Sequence, residues 1–140
     1  MEFISRSAQE TEQFAQNFAQ KLQGGEVLAL YGGMGMGKTT FTRGLMQGLG
    51  VDSGVCSPTF ALVHAYKGRL SVYHFEMFRV EGWDDLDSTG FFDYLGTDAV
   101  LVIEWSEHIQ AALPKERIEI YFAQGKLEHE RRITVKGDKV

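Results

Sequence analysis

The sequence predicts an α/β fold in which a mostly parallel sheet carries helices on both faces and antiparallel strands at its edges. Two short apolar runs, residues 26–31 and 99–103, have the length and continuity of buried parallel strands. The first run leads into a glycine-rich loop and then a helical pattern, which is typical of a ligand site at the carboxyl end of a strand. With 140 residues and 44% hydrophobic content, the chain is predicted to form one domain, 1–140, around a substantial core.

Two helices are predicted on either side of the first strand. Residues 7–10 have the form of a capping box, and apolar residues at helical spacing over 14–22 predict an N-terminal helix that stops at the glycine pair 24–25. A second helix begins near Lys38 and frays at Gly48. Both helices therefore have an apolar side with which to pack on the sheet.

The rest of the chain predicts mainly strands. Four segments alternate apolar and polar residues: 60–66, 70–75, 118–122 and 131–135. The first two predict a hairpin or two adjacent strands, the third a half-exposed strand and the fourth a last edge strand. Between them, the acidic segment 81–93 predicts a short helix with a turn at Gly90, and residues 109–113 close another short helix before Pro114.

Residues 32–39 form a complete phosphate-binding P-loop of the pattern G-x-x-x-x-G-K-[ST], which predicts a fold like that of the P-loop NTPases. Its glycines let backbone amides surround phosphate groups at the positive end of a helix. Lys38 would reach the β- and γ-phosphates, and the Thr39 hydroxyl would bind Mg²⁺. The residues predicted to contact the nucleotide are Gly33, Met34, Gly35, Met36, Gly37, Lys38, Thr39 and Thr40.

Glu104 is the predicted second half of the metal site. It follows the apolar run 99–103, so its carboxylate would emerge at the same sheet edge as the P-loop. A solvated glutamate at a strand end is the alternative interpretation. Glu107, three residues on, is a weaker candidate that suits the start of a helix.

The composition limits the binding partners and the cellular compartment that are predicted for the chain. A net charge of -5 provides no global basic field for wrapping nucleic acid, so RNA contact would be local or made through a partner. The basic residues of the last quarter could form such a patch or an ordinary solvated strand face: Lys115, Arg117, Lys126, Arg131 and Arg132. The single cysteine, Cys56, suits a small buried side chain in a cytoplasmic protein, and no targeting or membrane-spanning segment is predicted.

Four motifs stand in order along the chain and carry a resemblance to a known family. After the P-loop come Ser57-Pro58-Thr59-Phe60, His74-Phe75-Glu76-Met77-Phe78-Arg79 and Ile103-Glu104-Trp105-Ser106-Glu107. With them the chain resembles the bacterial TsaE family, from the N-terminal helix to about Ile120. That family is the P-loop ATPase of tRNA N6-threonylcarbamoyladenosine synthesis.

The resemblance implies roles for the residues outside the P-loop. Thr59, with Ser57 second, would sense the γ-phosphate in a switch region. Glu76 stands where the family has an aspartate, and would bind the metal or orient the attacking water. His74 is either a hydrogen-bonded structural histidine or a catalytic base, and Arg79 either neutralises phosphoryl charge or pairs with the acidic segment. The catalytic set is then Lys38, Glu104, Thr59 and Glu76, and the metal ligands are Thr39, Glu104 and Glu76.

The resemblance further implies an Mg²⁺-dependent ATPase that acts with a TsaD–TsaB transferase complex and does not itself transfer the threonylcarbamoyl group. No residue is an obvious strong base, so low activity without partners is expected. A small-molecule kinase and a non-hydrolysing nucleotide-dependent binding module are the alternatives, although the acidic segment 81–93 is a poor kinase lid. A GTPase is disfavoured because the chain has no Asn-Lys-x-Asp segment.

Overall fold

The structure is a computed structural model that describes residues 1–33, 35–51, 63–76, 84, 86, 90–104 and 109–137. The strands are β1 (Glu2–Ser5), β2 (Val27–Tyr31), β3 (Val63–Lys67), β4 (Ser71–Glu76), β5 (Val100–Glu104), β6 (Ile118–Gln124) and β7 (Arg131–Lys136). The helices are α1 (Ala8–Ala19), α2 (Lys38–Gly48) and α3 (Phe91–Tyr94), with a 3-10 turn at Gln110–Ala112. Among the described residues, no helix is both long and apolar enough to cross a membrane.

One mixed sheet contains all the described strands, in the order β1-β7-β6-β2-β5-β4-β3. β2 lies in the middle and pairs in parallel with β5 and β6, and β4 pairs in parallel with β5. The outer pairs β3–β4, β6–β7 and β1–β7 are antiparallel. The predicted fold class is therefore confirmed, and the carboxyl ends of four parallel strands meet at one edge of the sheet.

Each face of the sheet has its own apolar core because successive strand side chains point to opposite sides. On one face, α1 and α2 pack over Leu28, Leu30 and Ile120 through residues such as Phe18 and Phe41. The buried residues of the other core are Val27, Ala29, Tyr31, Phe75, Leu86, Phe91, Leu101, Ile103, Ile109 and Leu113. Helical segments thus cover both faces, with the two long helices on the side that carries the P-loop.

The start of α1 is set by the predicted cap. The Glu10 backbone N–H donates to Ser7 Oγ at 3.1 Å, while Glu10 Oε1 accepts from the Arg6 backbone N–H at 2.8 Å. The glutamate therefore reaches back one residue further than in the standard capping box. This cap holds the first turn of α1 beside the P-loop.

Two predicted elements differ from the observed ones at the chain ends. Residues 2–5 form β1, which pairs antiparallel with β7, so the prediction that 131–135 is an edge strand is wrong. Four residues are too few to show a periodic pattern, and their pairing depends on backbone hydrogen bonds to a strand far along the chain. β6 lies inside the sheet between β2 and β7, with Ile118, Ile120 and Phe122 buried on one side and the other side only partly buried, as predicted for a half-exposed strand.

Of the two predicted short helices, the one before Pro114 is different. Residues 109–113 contain only a 3-10 turn, because proline disfavours the helical conformation in Leu113, which is extended at ψ 144. At Gly90 the predicted turn is present with φ 78, and α3 begins after it. Within the acidic segment 81–93, Asp84 and Leu86 are helical, and residues 81–83, 85 and 87–89 lie outside the described residues.

Replacing Gly44 with alanine is expected to destabilise the fold by about 1–3 kcal/mol, the usual cost of overpacking. A Cβ at Gly44 would lie 2.5 Å from the backbone oxygen of Glu12 and 2.9 Å from the Ala15 Cβ, at the crossing of α1 and α2. Chemical denaturation would measure the loss. The control is Gln9→Ala on the exposed side of α1, which should change stability by less than about 0.5 kcal/mol. Equal stability of the two variants would show that the helices separate freely at this crossing.

Candidate functional site

The P-loop joins the central strand β2 to the first residue of α2. Gly37 adopts a left-handed conformation, φ 109, that side chains rarely take, and it provides no side-chain cap for α2. The first backbone N–H groups of α2 are therefore available to donate hydrogen bonds to an anion. In α1, by contrast, the Ser7 side chain caps the first turn. Lys38 follows directly and is 6% exposed. This geometry is that of a phosphate-binding loop at a strand's carboxyl end.

Two carboxylates face this loop from the neighbouring strands. β4 ends at Glu76 and β5 at Glu104, and these residues are register partners across the two parallel strands. Both carboxylates lie on the α2 side of the sheet, as does His74, two residues before Glu76. Val72 and Val102 point to the same side of their strands and belong to the core beneath α1 and α2. Glu104 is 7% exposed and Glu76 is exposed. The predicted acidic edge is thus formed by two strands rather than one.

His74 contacts Glu104 directly. Its Nε2 lies 2.7 Å from Glu104 Oε2, in a pair whose side chains are 11% and 9% exposed. Of the two roles that the sequence left open for His74, the geometry favours a hydrogen-bonded residue that orients this carboxylate. Behind it, His64 on β3 lies with its ring centroid 6.1 Å from that of His74. Burial, followed by the neighbouring His74, lowers the pKa of His64.

A cavity of about 430 Å³ joins the P-loop to the acidic edge. Its walls are Gly35, Gly37, Lys38, Thr39 and Thr40 from the loop and α2, and Glu76 and Glu104 from the strands. Ser7, Ala8 and Thr11 of the first turn of α1, with His129 and Arg131, line it as well. This volume is within the usual range for small-molecule sites, about 300–1,000 Å³.

The donor set around this cavity fits a magnesium–nucleotide complex. The Thr39 hydroxyl and the carboxylates of Glu76 and Glu104 supply hard oxygen ligands, which leave coordination positions for phosphate oxygens and water. Lys38 supplies positive charge at the loop. The cavity therefore brings the P-loop and its lysine together with two carboxylates.

The structure brings together most of the residues predicted for the site. Gly33 and Met36 are in the loop without lining the cavity, and the Met36 side chain packs against the core. Met34 and Thr59 lie outside the described residues. So do Cys56, Ser57, Arg79, Trp105 and Glu107.

Arg131 is a site residue that the sequence analysis had placed only in a basic patch. Its Nη2 donates to the backbone oxygen of Gly35 in the P-loop at 3.3 Å, and Nη1 donates to the backbone oxygens of Glu128 at 2.7 Å and Glu130 at 2.9 Å. The side chain thus ties the β6–β7 turn to the loop. No local pattern indicates this contact, since Arg131 and Gly35 are 96 residues apart.

The basic residues of the last quarter do not share one surface. Arg117 pairs with Glu119 at 3.0 Å at one end of the β6–β7 hairpin, while Arg131 pairs in register with Gln124 at the other. Those ends are roughly 20 Å apart at the usual strand rise. Arg132 points to the opposite face from Arg131 and lies 3.9 Å from Glu2. The described positions therefore do not support a single basic patch.

A tyrosine pair supports the strand that carries the P-loop. Tyr31, the last residue of β2, stacks on Tyr121 with ring centroids 4.8 Å apart. Glu119 accepts hydrogen bonds from the Tyr121 hydroxyl at 3.1 Å and the Tyr31 hydroxyl at 3.4 Å. Burial, with the Glu119 carboxylate second, raises the pKa of Tyr31 to about 12. The neutral phenol is thus kept throughout the physiological pH range.

Comparisons with known proteins agree with these motifs. The profile of the family described as "Threonylcarbamoyl adenosine biosynthesis protein TsaE" matches residues 5–133. Proteins named "tRNA threonylcarbamoyladenosine biosynthesis protein TsaE" are similar to the chain: that of Treponema pallidum is 37% identical over 86% of this chain and 89% of its own length. That of Bacillus subtilis is 37% identical over 94% and 83%, and that of Haemophilus influenzae 40% identical over 75% and 70%.

A solved structure has the same fold. The crystal structure of YdiB from Bacillus subtilis superimposes with a TM-score of 0.79 and 31% sequence identity, covering 98% of this chain and 84% of that one. The match extends over nearly the whole of this chain and most of the other.

Proposed function

This chain belongs to the TsaE family of threonylcarbamoyl adenosine biosynthesis proteins, and from that premise we propose that it binds and hydrolyses ATP with Mg²⁺ to support tRNA modification. The family takes part in tRNA threonylcarbamoyladenosine biosynthesis. In this proposal the chain supplies energy for the modification or controls when it occurs. A TsaD–TsaB complex transfers the threonylcarbamoyl group.

One observation carries the proposal: a single cavity joins the P-loop to a paired acidic edge. Lys38, Thr39, Glu76 and Glu104 all line it. A phosphate loop alone would support nucleotide binding. Carboxylates opposite the loop add a place for the cation that neutralises charge on transferred phosphoryl groups.

The residues of the chain would have two kinds of role, one toward the phosphates and one toward the metal ion. Loop amides and Lys38 hold the β- and γ-phosphates and stabilise the negative charge that develops during transfer. Thr39, Glu104 and Glu76 hold Mg²⁺, which when bound neutralises phosphate charge and orients the leaving group. His74 keeps the Glu104 carboxylate turned toward the cavity through the hydrogen bond between Nε2 and Oε2. Thr59 remains a predicted γ-phosphate sensor.

Slow intrinsic turnover is part of the proposal. His129 lines the cavity at an exposed position, and His74, which does not line this cavity, is hydrogen-bonded to Glu104. Phosphoryl transfer depends more on positioning and electrostatic stabilisation than on proton removal. A partner that completes the site would therefore raise the rate without supplying a new cofactor.

Two measurements test the proposal together. Phosphate release from Mg-ATP should be slow for the isolated chain and faster with a TsaD–TsaB complex, and co-purification with that complex should depend on ATP. Tight ATP binding without phosphate release, even with partners, would favour a non-hydrolysing binding module. A phosphorylated small molecule as product would favour a kinase. Absence of association in either nucleotide state would contradict the partnership while leaving nucleotide binding intact.

Arg131→Ala is expected to weaken ATP binding about fivefold, because it removes a hydrogen bond to the P-loop backbone that is worth about 1 kcal/mol. The lost contact is the one to the Gly35 oxygen. Equilibrium titration with a fluorescent ATP analogue would measure the dissociation constant. The matched control is Arg132→Ala, the next residue, which faces the other side of the sheet toward Glu2. Equal affinity in the two variants would show that the hairpin does not support the loop.

A further inference from the structure

We propose that His74, Glu76 and Glu104 form a zinc-binding site in the nucleotide-free protein, with His74 Nε2 as a nitrogen ligand beside two carboxylates. The inference extends the proposed function, because it concerns the protein without ATP and an ion other than Mg²⁺. It shares Glu76 and Glu104 with the proposed magnesium site. It does not require that the protein hydrolyse ATP.

The three side chains already converge. One ligand atom from each of His74, Glu76 and Glu104 lies within 4.8 Å of the other two, which is compact enough for all three to reach one ion. Backbone pairing holds this arrangement, since Glu76 and Glu104 are register partners at the ends of two hydrogen-bonded strands.

The closest pair shows what has to change on binding. His74 Nε2 and Glu104 Oε2 are 2.7 Å apart, the separation of a hydrogen bond. Around a zinc ion, ligands at about 2.0–2.2 Å in tetrahedral geometry stand somewhat further apart. Zinc would take the place of the proton between these atoms, with the proton released to solvent, and the pair would open slightly.

The ligand types select the ion. Imidazole nitrogen suits zinc and its neighbours among the transition metals, whereas Mg²⁺ prefers oxygen ligands and keeps its water. Three protein ligands of histidine and carboxylate type, with one position left open, are typical of accessible zinc sites. The two carboxylates are also close enough to repel each other, which a divalent cation relieves.

Access to the open position is available from both sides of Thr39. Glu76 and Glu104 line the cavity of about 430 Å³ on the P-loop side. Together with His74 they also line a second cavity of about 400 Å³ between α2 and the β3–β4 hairpin. A water or anion can therefore complete the coordination shell without displacing protein ligands.

The test is direct binding of Zn²⁺ to untagged, nucleotide-free protein, measured by competition with a colorimetric chelator. One ion per chain is expected, with Mg²⁺ competing poorly. His74→Gln should weaken binding about tenfold or more, as expected when a ligand is lost. Glu76→Gln, at an exposed position where folding is not at risk, should weaken it as well.

The matched control is His64→Gln, which removes a neighbouring buried histidine whose ring centroid lies 6.1 Å from that of His74. Its zinc affinity should stay within about twofold of the original, because His64 does not belong to the converging set. Long-range proton–nitrogen NMR provides a second readout: addition of Zn²⁺ should shift the ring nitrogens of His74 far more than those of His64 or His129. Thermal unfolding of each variant confirms that it is folded.

Three results would overturn the inference: no zinc binding by the nucleotide-free chain, equal affinity in His74→Gln and the original protein, or nitrogen shifts confined to another histidine. The outcome is separable from that of the proposed function. Zinc binding without ATP hydrolysis would support the site and contradict the ATPase. Hydrolysis with Mg²⁺ in a protein that binds no zinc would do the reverse.

Discussion

Lys38→Ala is expected to lower the rate of ATP hydrolysis by about a hundredfold or more, as when a preorganised charge-stabilising group is removed from an active site. Lys38 is the first residue of α2, 6% exposed, and lines the cavity together with both carboxylates. Alanine keeps the helix but removes the cation that would offset phosphate charge. The rate should fall with or without a TsaD–TsaB complex, since no partner replaces a group buried in the P-loop.

The matched control for this variant is Lys115→Ala, which removes an exposed lysine before β6. Its rate should equal that of the original protein. Steady-state phosphate release, with ATP affinity measured separately, would divide the loss between binding and chemistry. If Lys38→Ala hydrolysed ATP at nearly the original rate, the P-loop would not be the site of hydrolysis, and the assignment of this chain as an ATPase would fail.

Glu104→Ala is expected to lower the hydrolysis rate by about a hundredfold and to raise the Mg²⁺ concentration needed for half-maximal activity, because a charged ligand of the proposed metal site is lost. Glu104 is the last residue of β5, and its carboxylate lines the cavity. Its Oε2 is hydrogen-bonded to His74 Nε2 at 2.7 Å. Removing one partner of that buried pair should also cost about 1–3 kcal/mol of stability.

The effects on activity and stability can be separated with Glu104→Gln. Glutamine keeps the shape and a hydrogen bond to His74, so stability should recover while the hydrolysis rate stays low. Glu116→Ala, at an exposed glutamate, is the control and should behave as the original protein does. A Mg²⁺ dependence that is unchanged in both Glu104 variants would show that another residue holds the metal.

Much of the fold was predictable because its signals are local. The P-loop, the strands at 27–31 and 100–104, the capped helix α1 and the hairpin of β3 and β4 each depend on residues that are close in sequence. A pattern of glycines or a period of two or 3.6 residues reports the local backbone directly. Glu104 was predictable for the same reason, since it directly follows an apolar strand.

The failures concern pairing between distant segments. β1 has four residues and no visible period, and it is a strand because β7 provides hydrogen-bond partners more than a hundred residues later. That pairing makes β7 an interior strand, in contrast to its predicted edge position. Likewise, the basic residues that cluster in sequence separate onto two ends and two faces of one hairpin.

The candidate site likewise combines features that local sequence predicts with features that depend on distant contacts. The P-loop and the proposed cation ligands Thr39 and Glu104 could be named from motif and order alone. The contact of Glu104 with His74, the register that places Glu76 beside it, and the bond from Arg131 to Gly35 could not. Each joins residues that are at least 28 positions apart in the chain, as the Glu76–Glu104 pair shows.

The sequence by itself therefore determined that this protein has a P-loop between a central strand and a helix, with an acidic residue at the end of a second buried strand. Tertiary structure alone decided how these parts meet: which strands are neighbours, how they are registered, and which histidine and arginine reach the site. The physical reason is that local propensity acts over a few residues, whereas register is set by burial and hydrogen bonding summed over whole strands.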